Sequence, residues 1–182
     1  LAGTQGMQNH RKKDRMFEIA ERERLPVVLF SEGGGGRPGD TDALGVAGLD
    51  CMAFHYFGGL SGLVPLVGIT SGRCFAGNAA LLGCCDVVIA THGSNIGMGG
   101  PAMIEGGGLG VFRPEEVGPL DVQVRNGVVD IAVRDEAEAL RLANDSGYGL
   151  NANVWTRDKH KGVELAKAID SGCAVVNDCM VT

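Results

Sequence analysis

Two glycine-rich segments, each placed after an apolar run, are where this sequence could do chemistry. The first is SEGGGGRPGD, which starts at Ser31, and the second, CFAGNAALLGCC, has Gly77 and Asn78 at the start of a predicted helix. The first amides of a helix have no intrahelical partner, and glycine removes the side chain that would block a ligand. We therefore expect these amides to bind an oxyanion. Close packing of the helix against a strand is the alternative.

Both segments follow predicted strands, so their backbone N–H groups can converge on one oxygen. An amide of Gly34 or Gly35 and one of Gly77 or Asn78 would form an oxyanion hole suited to a thioester enolate. For the first segment a flexible solvent loop is the alternative, because consecutive glycines also give freedom. No side-chain base is evident, so the reactant must bring its own base. The histidines are scattered along the chain: His10, His55, His92 and His160.

Other sites are disfavoured by spacing. Gly34, Gly36 and Gly39 match a dinucleotide-binding pattern, but Pro38 stiffens the turn and no acidic residue follows a strand about 20 residues later. The sequence has neither a Walker loop nor a Gly-x-Ser-x-Gly elbow. Its 6 cysteines form no CxxC pair, so we expect no metal site and interpret them as reduced core thiols.

Composition restricts the class of protein. The 182 residues are 45% hydrophobic with 30 glycines, which favours a close-packed α/β protein. The net charge is −6, which argues against nucleic-acid binding, although residues 1–37 carry 7 basic and 5 acidic side chains. We see no secretory signal and no apolar run long enough for a membrane span, and we expect a cytoplasmic protein.

The predicted elements alternate between helices and apolar strands. We expect a surface helix over 5–24, a helix from about Thr41, a loop over 93–110, and strands over 25–31, 64–72 and 85–91. Continuous apolar strands of this kind predict a sheet that is covered on both faces. Residues after Val128 form an αβαβ tail, with helices over 135–146 and 159–172, the second closed by Gly172.

Residues 3–140 resemble the carboxyltransferase subunit (β chain) of biotin-dependent acetyl- and propionyl-CoA carboxylases. The segments that carry the resemblance are GTQGMQNHRKKDRMFEIAERERLPVVLFSEGGGGRPGDTD, PLVGITSGRCFAGNAALLGCCDVVIA and SNIGMGGPAMIEGGGLGVFRPEEVGPLDVQVRNGVVD. The resemblance implies a crotonase-like (ClpP/crotonase) ββα-type partial domain over residues 1–132. It also implies transfer of a carboxyl group from carboxybiotin, on a separate carrier, to the α-carbon of acetyl- or propionyl-CoA in fatty acid metabolism.

The same resemblance assigns roles to individual residues. Gly77 and Asn78 match a pair of residues at the helix start in the family, of which the second is commonly glycine. The first glycine segment matches a family loop whose usual sequence is closer to Asp-Ser-Gly-Gly-Ala-Arg. Main-chain catalytic donors are thereby assigned to Gly34, Gly35, Gly77 and Asn78, and ligand binding to Gly33, Gly36, Arg37, Gly99, Gly100 and Pro101.

The family also implies partners. These are a biotin carrier protein, biotin carboxylase subunits and further copies of the chain, because family subunits form the site between two crotonase-like halves. We expect the biotin-side half to be missing from this sequence and the isolated chain to be inactive.

The tail resembles a different family. Residues 133–180, through LANDSGYGLNANVWTRD above all, resemble an aldehyde dehydrogenase segment, but that family's catalytic cysteine motif and its Glu-Leu-Gly-Gly segment are absent. Cys173 and Cys179 are therefore not interpreted as nucleophiles. We expect a crotonase-like domain over 1–132 joined to a dehydrogenase-like tail over 133–182. The alternatives are an NAD(P)-dependent aldehyde dehydrogenase fragment and a catalytically silent hybrid.

Overall fold

A computed structural model describes residues 3–36, 52–145, 152–154, 159–170 and 174–176. The helices are α1 (Met7–Glu23), α2 (Ala53–Gly59), α3 (Gly77–Leu82), α4 (Pro101–Gly106), α5 (Leu120–Arg125), α6 (Glu136–Asn144) and α7 (Lys159–Ala168), with a 3-10 turn at Pro114–Glu116. The strands are β1 (Val27–Phe30), β2 (Leu66–Thr70), β3 (Arg73–Phe75), β4 (Val87–Thr91), β5 (Asn95–Gly97), β6 (Ile131–Val133), β7 (Ala152–Val154) and β8 (Ala174–Val176).

The main sheet is parallel and has the strand order β1-β2-β4-β6. A second parallel pair, β3 with β5, is extended by a bridge between Gly33 and Cys74. Strand, short strand and helix therefore follow each other twice, as β2-β3-α3 and β4-β5-α4. This arrangement confirms the predicted α/β class with its ββα pattern. Strands β7 and β8 form a separate parallel pair.

Alternate residues of the main sheet pack against different layers. Leu66 of β2 belongs to a cluster with Phe17 of α1 and Phe57 of α2. Its neighbour two positions on, Gly68, lies under α3, where a Cβ would be 2.5 Å from Leu82 Cδ1. The intervening strand positions belong to a different cluster that includes a buried residue of α6: Val67, Ile69, Val87, Ile89, Val133 and Ala139. The sheet is therefore covered on both faces, as continuous apolar strands require.

Several predicted boundaries differ from the structure. The prediction of an irregular loop over 93–110 is wrong, because the segment contains β5 and α4. β5 forms because three residues suffice to pair with β3, and α4 begins at Pro101, a residue suited to the first helical position. The helix predicted from Thr41 and the closing Gly172 lie outside the described residues.

The three described cysteines differ in environment, although all are free thiols. Cys74 is buried, Cys85 is half-buried and Cys84 is exposed, so the expectation of core thiols is wrong for Cys84. Burial raises the pKa of Cys74 to about 11 and that of Cys85 to about 12. Cys51, Cys173 and Cys179 lie outside the described residues. Within the described ranges, no helix has both the length and the apolar content to cross a membrane.

We expect substitution of Gly118 to destabilise the protein strongly. Gly118 has φ +55°, and a Cβ there would lie 1.8 Å from the Ile96 carbonyl oxygen. Strain and overpacking together predict that Gly118→Ala lowers the free energy of unfolding by about 2–4 kcal/mol, measured by urea denaturation. Gly58→Ala is the matched control, because Gly58 lies in α2 with nothing within 4 Å of the added Cβ. Similar losses in the two variants would contradict the steric explanation.

Alkylation should separate the cysteines by environment. Iodoacetamide reacts with thiolates, and a pKa near 11 leaves about one Cys74 thiol in a thousand ionised at pH 8. Peptide mass spectrometry of the folded chain should therefore find Cys84 modified, and Cys74 and Cys85 protected. In urea all three should react. Modification of Cys74 at the rate of Cys84 in the folded chain would show that the thiol is accessible and ionised.

Candidate functional site

The predicted glycine segments meet at the turn between β3 and α3. Gly33 accepts a hydrogen bond from the Phe75 N–H at 2.9 Å. A Cβ placed on Gly35 would lie 2.8 Å from Ala76 Cβ and 3.2 Å from the Gly77 nitrogen. The backbone of the first segment therefore lies directly against the start of α3. Gly35 is buried, which contradicts the alternative of a freely flexible loop at this point.

The turn that leads into α3 has an unusual backbone. Ala76, which precedes the helix, has φ 54° and ψ −127°, a region where a residue other than glycine costs about 1–3 kcal/mol. Two hydrogen bonds support it: Ala76 N–H donates to Gly97 O at 3.0 Å, and Ala80 N–H donates to Ala76 O at 3.0 Å. No described residue accepts a hydrogen bond from the backbone N–H of Gly77 or Asn78. These two amides are thus available to a ligand oxygen.

The third predicted segment reaches the same place through Phe75. Gly100 precedes α4, and a Cβ on it would lie 3.5 Å from Phe75 Cδ2. Gly99 faces Met103, whose sulfur would be 3.3 Å from an added Cβ, and Pro101 begins α4. The structure therefore brings together the segments that contain Gly33, Gly35, Gly77, Asn78, Gly99, Gly100 and Pro101. Gly34 and Gly36 are exposed on the loop, and Arg37 lies outside the described residues.

The Asn78 side chain has a structural function in this arrangement. It is 2% exposed, and its Nδ2 donates to Glu32 O at 2.7 Å and to Gly3 O at 3.5 Å. Its Oδ1 accepts from Gln5 Nε2. Only the main-chain amide of Asn78 is therefore left for a ligand. Gly3 and Gln5 were not predicted as site residues from the sequence. The only nearby feature that could have indicated a role for them is the short Gly-Thr-Gln-Gly run before α1.

Charged side chains near the site hold neighbouring segments together. Glu32 Oε1 accepts from the Ser71 N–H at 2.9 Å, and the Arg73 guanidinium pairs with Glu115. A hydrogen bond from its own backbone N–H lowers the pKa of Glu115, and the Arg73 guanidinium lowers it further. Both carboxylates therefore have structural partners at this edge of the site.

Within the described ranges, neither a histidine base nor a group of metal ligands identifies the site. His10 is buried in α1, whereas His55, His92 and His160 are exposed. In the part of the chain that the structure describes, no group of three or more His, Cys, Asp or Glu residues could hold a metal ion. The arrangement offers main-chain donors around a turn. Such donors stabilise negative charge that develops on an oxygen.

Solved structures with the same fold include acyl-CoA carboxylase chains. A single-chain, multi-domain long-chain acyl-CoA carboxylase is 68% identical, with a TM-score of 0.72, and the match covers 78% of this chain and 14% of that one. The β subunit of geranyl-CoA carboxylase from P. aeruginosa is 24% identical, with a TM-score of 0.61, over 78% of this chain and 27% of that one. These neighbours are crotonase-fold carboxyltransferases, which confirms the predicted fold.

The C-terminal part matches a second family. The model of the aldehyde dehydrogenase family matches residues 128–182. The 5-carboxymethyl-2-hydroxymuconate semialdehyde dehydrogenase of Escherichia coli is 39% identical over 85 residues, which cover 42% of this chain and 18% of that enzyme. The chain thus spans less than a fifth of the length of this relative and of the 68% identical carboxylase. It joins a crotonase-fold segment similar to acyl-CoA carboxylases to a segment that matches the aldehyde dehydrogenase family.

Proposed function

We propose that the segment up to about residue 132 binds an acyl-CoA thioester and helps to move a carboxyl group onto the α-carbon of its acyl group. The observation that carries this proposal is the contact between the first glycine segment and the start of α3. An added Cβ on Gly35 would be 3.2 Å from the Gly77 nitrogen. Two main-chain segments this close can each direct an N–H group at one thioester oxygen.

The proposed donors are main-chain groups. The amides of Gly77 and Asn78 on one side, and of Gly34 or Gly35 on the other, would stabilise the negative charge on the thioester oxygen when the α-carbon loses its proton. Gly77 is half-buried, and hydrogen bonds to an oxyanion are stronger where water is excluded. Gly33, Gly36, Arg37, Gly99, Gly100 and Pro101 would hold the rest of the ligand.

In this proposal, carboxybiotin on a separate carrier would supply the carboxyl group, and the ureido anion left after its decarboxylation would serve as the base for the α-proton. A site built from backbone donors fits such a reactant, because the residues that converge at the turn provide no side-chain base. We extend the proposal to the partners that this chemistry needs: a biotin carrier protein, biotin carboxylase subunits and further copies of this chain. The dehydrogenase-like tail would then be a structural addition to this domain.

We extend the proposal to the acyl group, for which exposed apolar side chains in and after the third glycine segment favour a long chain over acetyl or propionyl. Met98 and Met103 beside Gly99 are 66% and 63% exposed, and Leu109 and Val111 farther along the same segment are 74% and 80% exposed. Such an apolar surface can cover an alkyl chain. The carboxylase that is 68% identical to this chain is a long-chain acyl-CoA enzyme. We therefore propose a medium- or long-chain acyl-CoA as the substrate.

Isothermal titration of the folded chain with octanoyl-CoA tests the site directly. Gly77→Val should weaken binding at least about tenfold, because a branched side chain occupies the approach to the amide. A Cβ at Gly77 would also lie 3.0 Å from Phe54 Cζ, so Phe54→Leu is the control for displacement of that ring. Unchanged affinity in Gly77→Val would refute the assignment. Binding of NAD(P) without any binding of acyl-CoA would favour the dehydrogenase alternative.

A series of acyl-CoA esters tests the proposed acyl group. Each buried methylene should improve affinity by about fourfold between butyryl- and octanoyl-CoA, since burial of one methylene contributes about 0.8 kcal/mol. Met103→Ser should flatten this dependence without changing the affinity for free CoA. Equal dissociation constants for acetyl-, butyryl- and octanoyl-CoA would contradict a long-chain site.

A further inference from the structure

The residues before α1 lie along the first glycine segment and pair with it through one isolated bridge. The Gln5 N–H donates to Gly35 O at 2.8 Å, and Gln5 bridges Gly36 in a parallel register. Gly3 approaches more closely still, since a Cβ on Gly3 would be 2.6 Å from Gly33 Cα. The glycine loop therefore lies between residues 3–6 on one side and the turn before α3 on the other, with Gly34 and Gly36 exposed.

The Asn78 side chain joins these three segments at their centre. From α3 its amide nitrogen reaches the carbonyl oxygens of Glu32 and Gly3, at 2.7 and 3.5 Å. Its oxygen accepts from Gln5 Nε2. Lys13 of α1 donates to Gln5 Oε1, which directs the amide nitrogen of Gln5 toward Asn78. Asn78 thus satisfies acceptors on the loop and on the N-terminal segment with one side chain.

We propose that Gln5 and Asn78 are positioning residues that hold the glycine loop 33–36 at a fixed separation from Gly77. The Asn78 side chain donates to both the loop and the N-terminal segment. Asparagine suits this position because its amide donates and accepts at once, which aspartate, leucine and glycine cannot do. The effect of this positioning on ligand binding rests on the proposed function, whereas the separation between the loop and Gly77 does not depend on it.

Backbone amide exchange measured by NMR on the unliganded chain tests the positioning. The backbone amides of Gln5, Gly33 and Phe75 donate the hydrogen bonds that join the N-terminal segment, the glycine loop and β3. Gln5→Met and Asn78→Ala should each speed exchange at these amides by about tenfold or more, because local opening becomes easier. The double variant should add little beyond Asn78→Ala, since both changes remove the same bond. Unchanged exchange in both single variants would overturn the proposal.

Asn144→Ala is the matched control for loss of a bridging asparagine. The Asn144 side chain donates to Ala168 O at 2.9 Å and accepts from the Asp170 N–H at 3.0 Å, so it joins α6 to the end of α7. This variant should leave exchange at Gln5, Gly33 and Phe75 within about twofold of the parent chain. Gln5→Met replaces a half-buried side chain of similar length and keeps the test available if Asn78→Ala does not fold.

Ligand titration separates this inference from the proposed function. In Gln5→Met the affinity for octanoyl-CoA should fall about tenfold, while that for free CoA stays within about twofold. The reason is that only the thioester oxygen would use the main-chain amides of both the glycine loop and the start of α3. Equal losses for both ligands would point to general loosening and would overturn the positioning role. If the parent chain binds no octanoyl-CoA, the proposed function fails, and the exchange rates alone decide whether the pair positions the loop.

Discussion

The structure depends on a parallel sheet that must be covered on both faces. Parallel strands are buried on both sides, so a sheet with one bare face would expose a row of branched apolar side chains. Helices from the carboxylase-like part cover one face. On the other face, Ile69, Ile89 and Val133 of the strands pack with Ala139 of α6. Val133 and Ala139 belong to the segment that matches the aldehyde dehydrogenase family. Val133 and Ala139 also fall within residues 3–140, so this side of the core is formed where the two resemblances overlap.

Polar contacts accompany this side of the core at the carboxyl ends of β2 and β4. Glu136 Oε1 accepts from the Ser71 hydroxyl at 2.8 Å and from Lys161 Nζ at 3.2 Å. The Thr91 hydroxyl donates in turn to the Ser71 hydroxyl at 3.1 Å. The hydrogen bond from the Ser71 hydroxyl lowers the pKa of Glu136 most, and Lys161 lowers it further. The Lys161–Glu136 ion pair is partly exposed and contributes little to stability.

A site that uses main-chain donors requires whole backbone segments to be held in position. A side-chain base can be moved by one rotamer, but a main-chain donor moves only with its whole segment. Ala76 keeps a strained backbone at the start of α3, and hydrogen bonds to Gly97 and from Ala80 support it. Gly35 must lack a side chain to approach Ala76 at all. The position of each proposed donor is thus decided by the contacts of its neighbours.

Local sequence determined the elements and the family resemblances. Apolar runs at β1, β2 and β4 indicated buried parallel strands, and the glycine segments indicated where backbone is accessible, because both signals come from neighbours along the chain. The high glycine content wrongly predicted a loop where β5 and α4 form. Pairing of β5 with β3 and a proline at the start of α4 favour regular structure there in spite of the composition. The role of Gln5 was not predictable, since its contact with Asn78 spans 73 residues. Only tertiary structure decided that contact, the approach of Gly35 to Gly77 and the cover of the second face by α6, because each requires segments distant in sequence to pack together.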